Sequence, residues 1–254
     1  MIEAVVLGSG TSNGVPTLGV EYPPEFLANP KNHRTRPSLL LRGPTGNVLV
    51  DCAPEMRLQL LREGVMDIDS VLITHTHADH IMGMDDLRSF CLKSKRDMPI
   101  YTSPAYQDDI RRVFAYAFAE FGPGIEVPRF DLRDVSDPLE LGGMTIGTFW
   151  VEHGPWPVMA LRVGDFAYVT DVNHIPADSW ARLHGLETLV LDGVRRKPHP
   201  NHYHLDQAIA VAQALGAQQT YLTHLSHDYD HDVTNAELPE GIALAYDGLR
   251  IAIG

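Results

Sequence analysis

Cysteine is scarce in this chain: only Cys52 and Cys91 occur among 254 residues, and they form no CxxC pair. This scarcity excludes a disulfide-stapled scaffold and is typical of proteins from a reducing compartment. Apolar runs are short as well, and none reaches the roughly 18 residues that a membrane-spanning helix needs. The first residues lack the basic start and long apolar core of a signal peptide. We therefore expect a cytoplasmic protein that does not cross a membrane.

Positive charge is also in short supply. Lys and Arg together number 20 against 33 Asp and Glu, which gives a formal net charge of −13. A protein that follows a phosphate backbone normally carries a long basic stripe. The only basic clusters, Lys93–Arg96 and Arg195–Lys197, are short and are interpreted as solvated surface. The charge balance argues against nucleic acid as a partner and favours a small-molecule substrate.

Histidine, by contrast, is plentiful, with 13 in all, and three of them fall in the run HTHADH at His75–His80. The apolar stretch Val71–Thr74 precedes this run and predicts a short buried strand. A loop that turns at the end of a strand can aim several of these side chains into one pocket. Imidazole and carboxylate together suit zinc, manganese or iron. The run therefore predicts half of a metal site; the alternative is a surface loop that is rich in histidine.

Other apolar runs also end in a histidine or an acid. The residues that follow them are His153, Asp171, Asp192 and His224. Strands of one sheet can present their ends at the same edge, so these residues are candidates for the remaining ligands of one site. Taken singly, each histidine could equally be a hydrogen-bonded structural residue.

Short motifs follow one another in a fixed order through the chain. They are Gly8–Pro16, Leu49–Asp51, His75–His80, His153, Thr170–Asp171, Pro198–His202 and Thr223–His227. As an ordered set they resemble the metallo-β-lactamase-fold hydrolases, above all the PhnP-type phosphodiesterases and more distantly the tRNase Z-type enzymes. The resemblance implies an α/β fold, a four-layer αββα sandwich, in which residues 1–254 form a single hydrolase domain.

The resemblance also implies a role for each matching residue. Seven residues match the family's metal ligands: His75, His77 and His153 on a first metal, Asp79, His80 and His224 on a second, and Asp171 as the bridge. Asp79 is also counted with the catalytic residues. Asp51 matches an acid that supports the ligand loop, as metal-bound histidines usually require. His202 matches a histidine that is not a ligand and can protonate the leaving group.

One departure from the PhnP-type pattern concerns a structural zinc. Relatives of that type carry a cysteine cluster just after the Gly-rich start, whereas the corresponding stretch here, Gly19–Phe26, contains none. His227 stands where the histidine of that zinc would be, but it has no thiolate partners. A structural zinc is therefore not expected, and Tyr22–Arg36 is predicted to be an ordered loop closed by packing.

Hydrophobic patterns give a coarse map of the secondary structure. Apolar runs predict strands at 2–7, 38–41, 47–50, 71–74, 145–151, 158–163, 166–170, 188–191, 219–223 and 249–253. Helical spacing predicts helices at Pro54–Glu63, Met84–Leu92, Ile110–Phe121 and Leu205–Leu215. Two sets of strands with helices between them agree with the sandwich that the resemblance implies.

The ligand chemistry indicates a reaction. Two divalent ions, with Asp79, Asp171 and a bridging hydroxide, leave about one positive charge, which suits a singly negative phosphodiester. We expect zinc or manganese, with iron as a third option. The predicted protein is a dinuclear phosphodiesterase acting on a small linear or cyclic phosphodiester, with His202 as the acid. The resemblance implies a homodimer as one candidate assembly.

Several alternatives stay open at this point. The same ligand set serves thioesterases of the glyoxalase II kind, and a metal-binding protein without turnover would also carry it. The Gly10–Pro16 loop could offer backbone N–H groups to a phosphate, or it could be a tight structural turn. Arg88 could reach the substrate or form an ion pair with Asp85 on its own helix.

Overall fold

The computed structural model describes residues 2–122 and 124–254. Within these ranges the strands are β1 (Ile2–Gly8), β2 (Ser38–Arg42), β3 (Asn47–Val50), β4 (Ser70–Leu72), β5 (Met98–Thr102), β6 (Phe130–Asp134), β7 (Leu139–Leu141), β8 (Met144–His153), β9 (Trp156–Val163), β10 (Phe166–Val169), β11 (Thr188–Asp192), β12 (Gln219–Thr223), β13 (Ile242–Leu244) and β14 (Leu249–Ile253). The α-helices are α1 (Pro24–Ala28), α2 (Met56–Arg62), α3 (Ala78–Ile81), α4 (Arg88–Ser94), α5 (Pro104–Val113), α6 (Ala177–Ala181), α7 (Leu205–Leu215) and α8 (His231–Glu237).

The strands form two mixed sheets of seven strands each. The first has the order β14-β1-β2-β3-β4-β5-β6, and the second has the order β13-β12-β11-β10-β9-β8-β7. In the first sheet the strands from β3 to β6 run parallel, and in the second those from β10 to β13 do. Helices separate most of these parallel strands in sequence, as crossover connections require. Each sheet therefore has a parallel half whose strands end at a common edge.

Successive apolar side chains of a strand face opposite sides of its sheet, which explains why the two sheets form the inner layers. In β1, Ala4 and Val6 face the cluster between the two sheets, whereas Val5 and Leu7 face the helices outside the first sheet. In β11, Val190 joins the same inner cluster while its neighbours Leu189 and Leu191 pack towards α7. Both faces of these strands are buried, which accounts for their continuous apolar runs. The four layers are those of the predicted αββα sandwich, which is confirmed.

One predicted helix is wrong. The pattern at Ile110–Phe121 predicts a helix, but α5 begins at Pro104 and ends at Val113. Ser103 caps its start by accepting a hydrogen bond from the N–H of Ala105 at 3.3 Å, and Pro104 occupies the first turn. After α5 the chain tightens into a 3₁₀ turn at Ala115–Phe118. Phe114 and Phe118 do not belong to one α-helix, although both rings pack against Phe130 of β6.

The segment Tyr22–Arg36, predicted to be an ordered loop, contains α1 and a short 3₁₀ turn. The buried Asn32 holds it in place. Its amide donates to the carbonyl of Phe26 at 3.0 Å and to the carboxylate of Asp230 at 2.9 Å. The side chain of Arg34 is also buried and donates to the carbonyl of Tyr229 at 3.0 Å. Polar contacts to the segment after β12 therefore close this stretch.

Among residues 2–122 and 124–254, no helix is long and apolar enough to cross a bilayer.

Candidate metal centre

Two predicted ligands, Asp171 and His224, and the predicted supporting acid Asp51 lie where parallel strands of the two sheets end. Asp51 follows β3, Asp171 lies two residues after β10, and His224 follows β12. All three have positive φ values, of 61°, 50° and 59°. This left-handed conformation is uncommon for residues other than glycine and often marks functional sites. Here it turns the chain sharply at the end of each strand, so that the side chain points towards the space between the sheet edges.

Three histidines form the first donor group: His75, His77 and His153. Nε2 of His75 lies 3.0 Å from Nδ1 of His77. The ring of His153 approaches both, with centroids 5.7 Å from that of His75 and 5.1 Å from that of His77. Burial lowers the pKa of all three, so they are neutral near pH 7 with lone pairs free to bind a cation. The structure thus brings together the three residues that the sequence assigns to one metal.

The second donor group contains two carboxylates and two imidazoles: Asp79, His80, Asp171 and His224. Nε2 of His80 lies 3.3 Å from Oδ2 of Asp171 and 3.5 Å from Oδ2 of Asp79. Nε2 of His224 lies 3.3 Å from Oδ1 of Asp171 and 3.4 Å from Oδ2 of Asp79. All four side chains are buried. The two imidazoles therefore face the same pair of carboxylates across a small gap.

These spacings fit a divalent ion. Ligand atoms on tetrahedral zinc, with bonds of about 2.0–2.1 Å, lie roughly 3.3–3.4 Å apart. The four distances in the second group are 3.3–3.5 Å, longer than good hydrogen bonds between the same atoms. Nε2 of His80 is buried and has no hydrogen-bond partner within the described residues. An orphaned imidazole nitrogen between two carboxylates is the donor arrangement that a zinc, manganese or iron ion satisfies.

The electrostatics of the second group also call for a cation. Burial alone would raise the pKa of Asp79 and Asp171, but the neighbouring His80 and His224 lower both below the usual range. Burial opposes a charge on His80 as well, yet Asp171, Asp51 and Asp79 together raise its pKa well above 6.5. Three acids therefore keep a proton on His80 when no metal is bound. A divalent ion can take over the role of that proton.

Buried hydrogen bonds fix the orientation of the ligands. Asp51 accepts from the N–H and the hydroxyl of Thr74, both at 2.8 Å, and from Nδ1 of His80 at 2.7 Å. Nδ1 of His153 donates to the carbonyl of Asn201 at 2.7 Å. In His80 and His153 the hydrogen bond at Nδ1 leaves the other ring nitrogen, Nε2, free to face the donor group. Asp51 thus occupies the supporting position that its motif predicts.

His202 lies beside both donor groups, and Asp192, a strand-end candidate ligand of the sequence analysis, contacts it. Its ring centroid is 4.4 Å from that of His153 and 4.8 Å from that of His224. Nδ1 of His202 lies 2.7 Å from Oδ2 of the fully buried Asp192. The same oxygen accepts from the N–H of Val172 at 3.0 Å. The strand-end pattern singles out Asp192, but it does not predict that this acid contacts His202.

A cleft of about 820 Å³ opens above the two groups. Its walls include Thr11–Asn13 from the Gly-rich start and Arg195–Lys197 from the segment after β11. Arg196 and Lys197 are exposed, in agreement with a solvated surface, but sequence alone does not place this segment at the cleft. By contrast, Arg88 forms the predicted ion pair with Asp85. Gly8 and Gly10 are also structural, since a Cβ there would lie 1.9 Å from the carbonyl oxygen of Arg36 and 2.7 Å from that of Arg34.

The fold and the donor groups define a class, and the family comparison agrees. The profile of the Beta-lactamase superfamily domain matches residues 46–225, and the chain belongs to this family. The metallo-β-lactamase fold and its donor set imply divalent metal ions.

Within that class the chain is similar to a crystal structure of a diphosphatase from the PhnP family. The two are 38% identical, with a TM-score of 0.91, and the match covers 100% of this chain and 98% of the other. The predicted resemblance to the PhnP type is confirmed.

Two relatives match over part of their own length. An octanoyltransferase of Porphyromonas gingivalis is 34% identical over 257 residues, which cover 99% of this chain and 52% of that protein. A ribonuclease Z of Bradyrhizobium diazoefficiens is 32% identical over 128 residues, which cover 49% of this chain and 42% of that protein. The match thus spans about half the length of each relative or less. The diphosphatase and ribonuclease neighbours support a hydrolase.

Proposed function

We propose that this chain is a dinuclear metal-dependent phosphodiesterase that hydrolyses a small phosphodiester. The observation that carries the proposal is the placement of His202. Its ring lies against His153 of one donor group and against His224 of the other, at the floor of the cleft. A proton donor next to a site for two cations suits the hydrolysis of a phosphodiester, because the cations stabilise the phosphoryl charge and the donor protonates the leaving oxygen.

The proposed ligands follow the two donor groups. His75, His77 and His153 would hold one ion, and Asp79, His80 and His224 the other, with Asp171 shared between them. Bound there, two divalent ions supply positive charge for the phosphoryl oxygens and make hydroxide available near neutral pH. Zinc, manganese and iron all suit nitrogen and oxygen donors of this kind.

His202 is proposed to donate the proton that the leaving oxygen needs. Burial opposes its charge, but Asp192, with Asp171 and Asp79, raises the pKa of His202 to about 9 in the metal-free protein, and the contact with Asp192 favours the protonated ring. Because Asp192 holds Nδ1, Nε2 is the atom that can deliver a proton into the cleft. Asp192 stays buried behind the ring, and we propose that it keeps the imidazolium in this orientation.

The comparison with a PhnP-family diphosphatase supports a phosphorus substrate. Each phosphorus of a diphosphate diester carries two bridging oxygens and one negative charge, as in an ordinary phosphodiester. The same site chemistry therefore serves both kinds of ester. A small substrate is favoured over nucleic acid, because the net charge is −13 and the basic residues of the cleft wall amount to one short segment.

The proposal is tested by offering two substrates to protein loaded with zinc or manganese. Bis(p-nitrophenyl) phosphate is a phosphodiester, and S-lactoylglutathione is the thioester that glyoxalase II-type enzymes split. We expect turnover of the phosphodiester alone, and loss of it after the metal is removed by chelation. Turnover of the thioester alone would assign the chain to the alternative class, and turnover of neither, with metal present, would favour a metal-binding protein without catalysis.

A further inference from the structure

His199 lies on the cleft beside His202 and belongs to neither donor group. The centroids of the two rings are 4.8 Å apart. The side chain of His199 is half-buried, and its one hydrogen bond within the described residues is at Nδ1, which accepts from the N–H of Asn201 at 3.2 Å. What the other ring nitrogen, Nε2, can offer to a substrate depends on where the proton of the ring lies.

The backbone of Asn201 fixes the protons of two histidines in opposite ways. Its carbonyl accepts from Nδ1 of His153 at 2.7 Å, so Nε2 of His153 keeps a lone pair for a cation. Its N–H donates to Nδ1 of His199, so this nitrogen is unprotonated and the proton of the neutral ring lies on Nε2. A protonated Nε2 has no lone pair for a metal ion. His199 is therefore a hydrogen-bond donor, whereas His153 is a candidate ligand.

The surroundings keep His199 neutral. Burial lowers its pKa, and the nearby charges of His202 and Arg195 lower it further, to about 4. Asp192 opposes this effect, but its carboxylate lies against Nδ1 of His202. Metal ions in the centre would add positive charge and act in the same direction as burial. His199 therefore does not exchange a proton near pH 7, and it differs in this respect from a general acid.

The backbone around His199 is held in place. Pro198 and Pro200 flank it, and a residue before proline is restricted to extended conformations. The side chain of Asn201 lies over Gly154 at the turn after β8, where a Cβ would be 2.8 Å from Oδ1 of Asn201 and the φ of 59° also favours glycine. The position of His199 relative to the first donor group is thus fixed before a substrate binds, as a preorganised donor requires.

We propose that Nε2–H of His199 donates a hydrogen bond to a non-bridging oxygen of the phosphodiester as negative charge develops there. This inference rests on the proposed phosphodiesterase function and adds a catalytic residue to it. A neutral imidazole serves as an electrophile of this kind in other enzymes. His199 and His202 then have separate tasks, because the first stabilises charge on the phosphoryl group and the second protonates the leaving oxygen.

Two amide variants separate this role from a structural one. In His199→Asn the amide oxygen can replace Nδ1 as the acceptor for the N–H of Asn201, but no donor reaches the position of Nε2. In His199→Gln the longer side chain can place an amide N–H near that position, but the acceptor for Asn201 is lost. A merely structural histidine would be replaced better by Asn, whereas the proposed donor would be replaced better by Gln.

The variants are compared with the wild type on bis(p-nitrophenyl) phosphate, with metal-loaded full-length protein. We expect kcat to fall roughly a hundredfold in His199→Asn, the lower end of the range for loss of one oxyanion donor. KM should change little, because the bond is made in the transition state. His199→Gln should stay within about tenfold of the wild type. The metal content of both variants should be that of the wild type, and the exposed His184→Asn is the control with unchanged kcat.

Diphenyl phosphate has a poorer leaving group, and it distinguishes a donor to the phosphoryl oxygen from a residue that acts through His202. The loss in His199→Asn should be similar for both esters, because both develop the same phosphoryl charge. The alkaline limb of the kcat profile should also stay in place, because His199 does not titrate there. A loss confined to diphenyl phosphate, or a shifted limb, would show that His199 only positions His202 and would overturn the inference.

An unchanged kcat in His199→Asn, or better retention of activity by Asn than by Gln, would also overturn the inference and leave the proposed function intact. If the wild type hydrolyses neither ester, the proposed function fails, and equilibrium binding of vanadate to the zinc-loaded protein then tests His199 alone. Vanadate adopts the five-coordinate geometry of a phosphoryl transition state. Weaker binding by His199→Asn than by the wild type and His199→Gln would support the donor, and equal binding by all three would refute it.

Discussion

Nδ1 of His202 lies 2.7 Å from Oδ2 of Asp192, and both side chains are buried. The carboxylate raises the pKa of His202 to about 9, against the effect of burial. Because a general acid works in its protonated form, activity should fall as the pH rises through the pKa of His202 in the metal-loaded protein, which the nearby cations hold below that of the metal-free protein. In Asp192→Asn the pKa of His202 should drop, so this fall should begin at a lower pH.

The rate of Asp192→Asn should also decrease, by about tenfold to a hundredfold, as is typical when a supporting partner of a site residue is lost. The pH profile of kcat, measured beside the metal content, checks both effects. Asp228→Asn, which changes another aspartate of the cleft, is the matched control and should keep the alkaline limb in place. If the alkaline limb of the kcat profile does not shift in Asp192→Asn, Asp192 does not control the pKa of His202.

His202→Ala tests the acid itself. The ring contacts His153 and His224 but is assigned to neither metal, so the variant should still bind both ions. Loss of general acid catalysis costs roughly 10²–10⁴ in rate. We expect kcat to fall within that range for substrates with a poor leaving group, and less for p-nitrophenyl esters. The exposed His184 provides a control, since His184→Ala should keep full activity. Normal turnover by His202→Ala would remove its proposed role.

Short-range sequence patterns were sufficient for much of the fold, and the family resemblance named the residues that the structure brings together in the two donor groups. Ten apolar runs coincide with observed strands, and α7 has the predicted bounds, because its apolar face repeats with helical spacing and Gly216 ends it. Four strands are absent from the prediction: the three-residue strands β7 and β13, and the longer strands β5 and β6. Pro99 interrupts the apolar pattern of β5, and charged residues alternate through β6.

The features that the sequence did not predict depend on contacts between residues far apart in the chain. Asp192 follows a strand just as Asp171 does, but only the folded chain shows that its carboxylate lies behind His202. The same holds for Arg195 and Lys197, whose position on the cleft depends on the pairing of Val194 with Tyr203. A linear pattern reports which face of an element is buried. It does not report which loops meet across the end of a sheet.

Asp171→Asn should weaken metal retention. Its two oxygens lie 3.3 Å from Nε2 of His80 and 3.3 Å from Nε2 of His224, so one carboxylate faces both imidazoles of the second group. The amide has a single acceptor oxygen and no negative charge. We expect metal affinity to fall by more than the roughly tenfold to hundredfold cost of losing a supporting partner. Metal content after dialysis measures the effect, with the exposed Asp178→Asn as the control. Full retention by Asp171→Asn would show that this carboxylate is not a ligand.

Metal uptake should release protons and tighten as the pH rises. Without metal, Asp171, Asp51 and Asp79 raise the pKa of His80 well above 6.5 despite its burial, so His80 is protonated at neutral pH. Only the neutral imidazole can bind an ion, and the ion must therefore displace this proton. The protonation of His80 stabilises the metal-free fold fully below about pH 6.5, and this contribution is lost as the pH rises through the higher folded pKa.

The melting temperature of chelator-treated protein should accordingly decline with rising pH by more than that of metal-loaded protein. Calorimetric titration with zinc in buffers of different ionisation enthalpy counts the protons directly. We expect about one proton from His80 at neutral pH, and fewer in Asp51→Asn, where one of the three acids is gone. A binding heat that does not depend on the buffer would mean that His80 is already neutral in the metal-free protein. The cation would then have no proton to replace between Asp79 and Asp171.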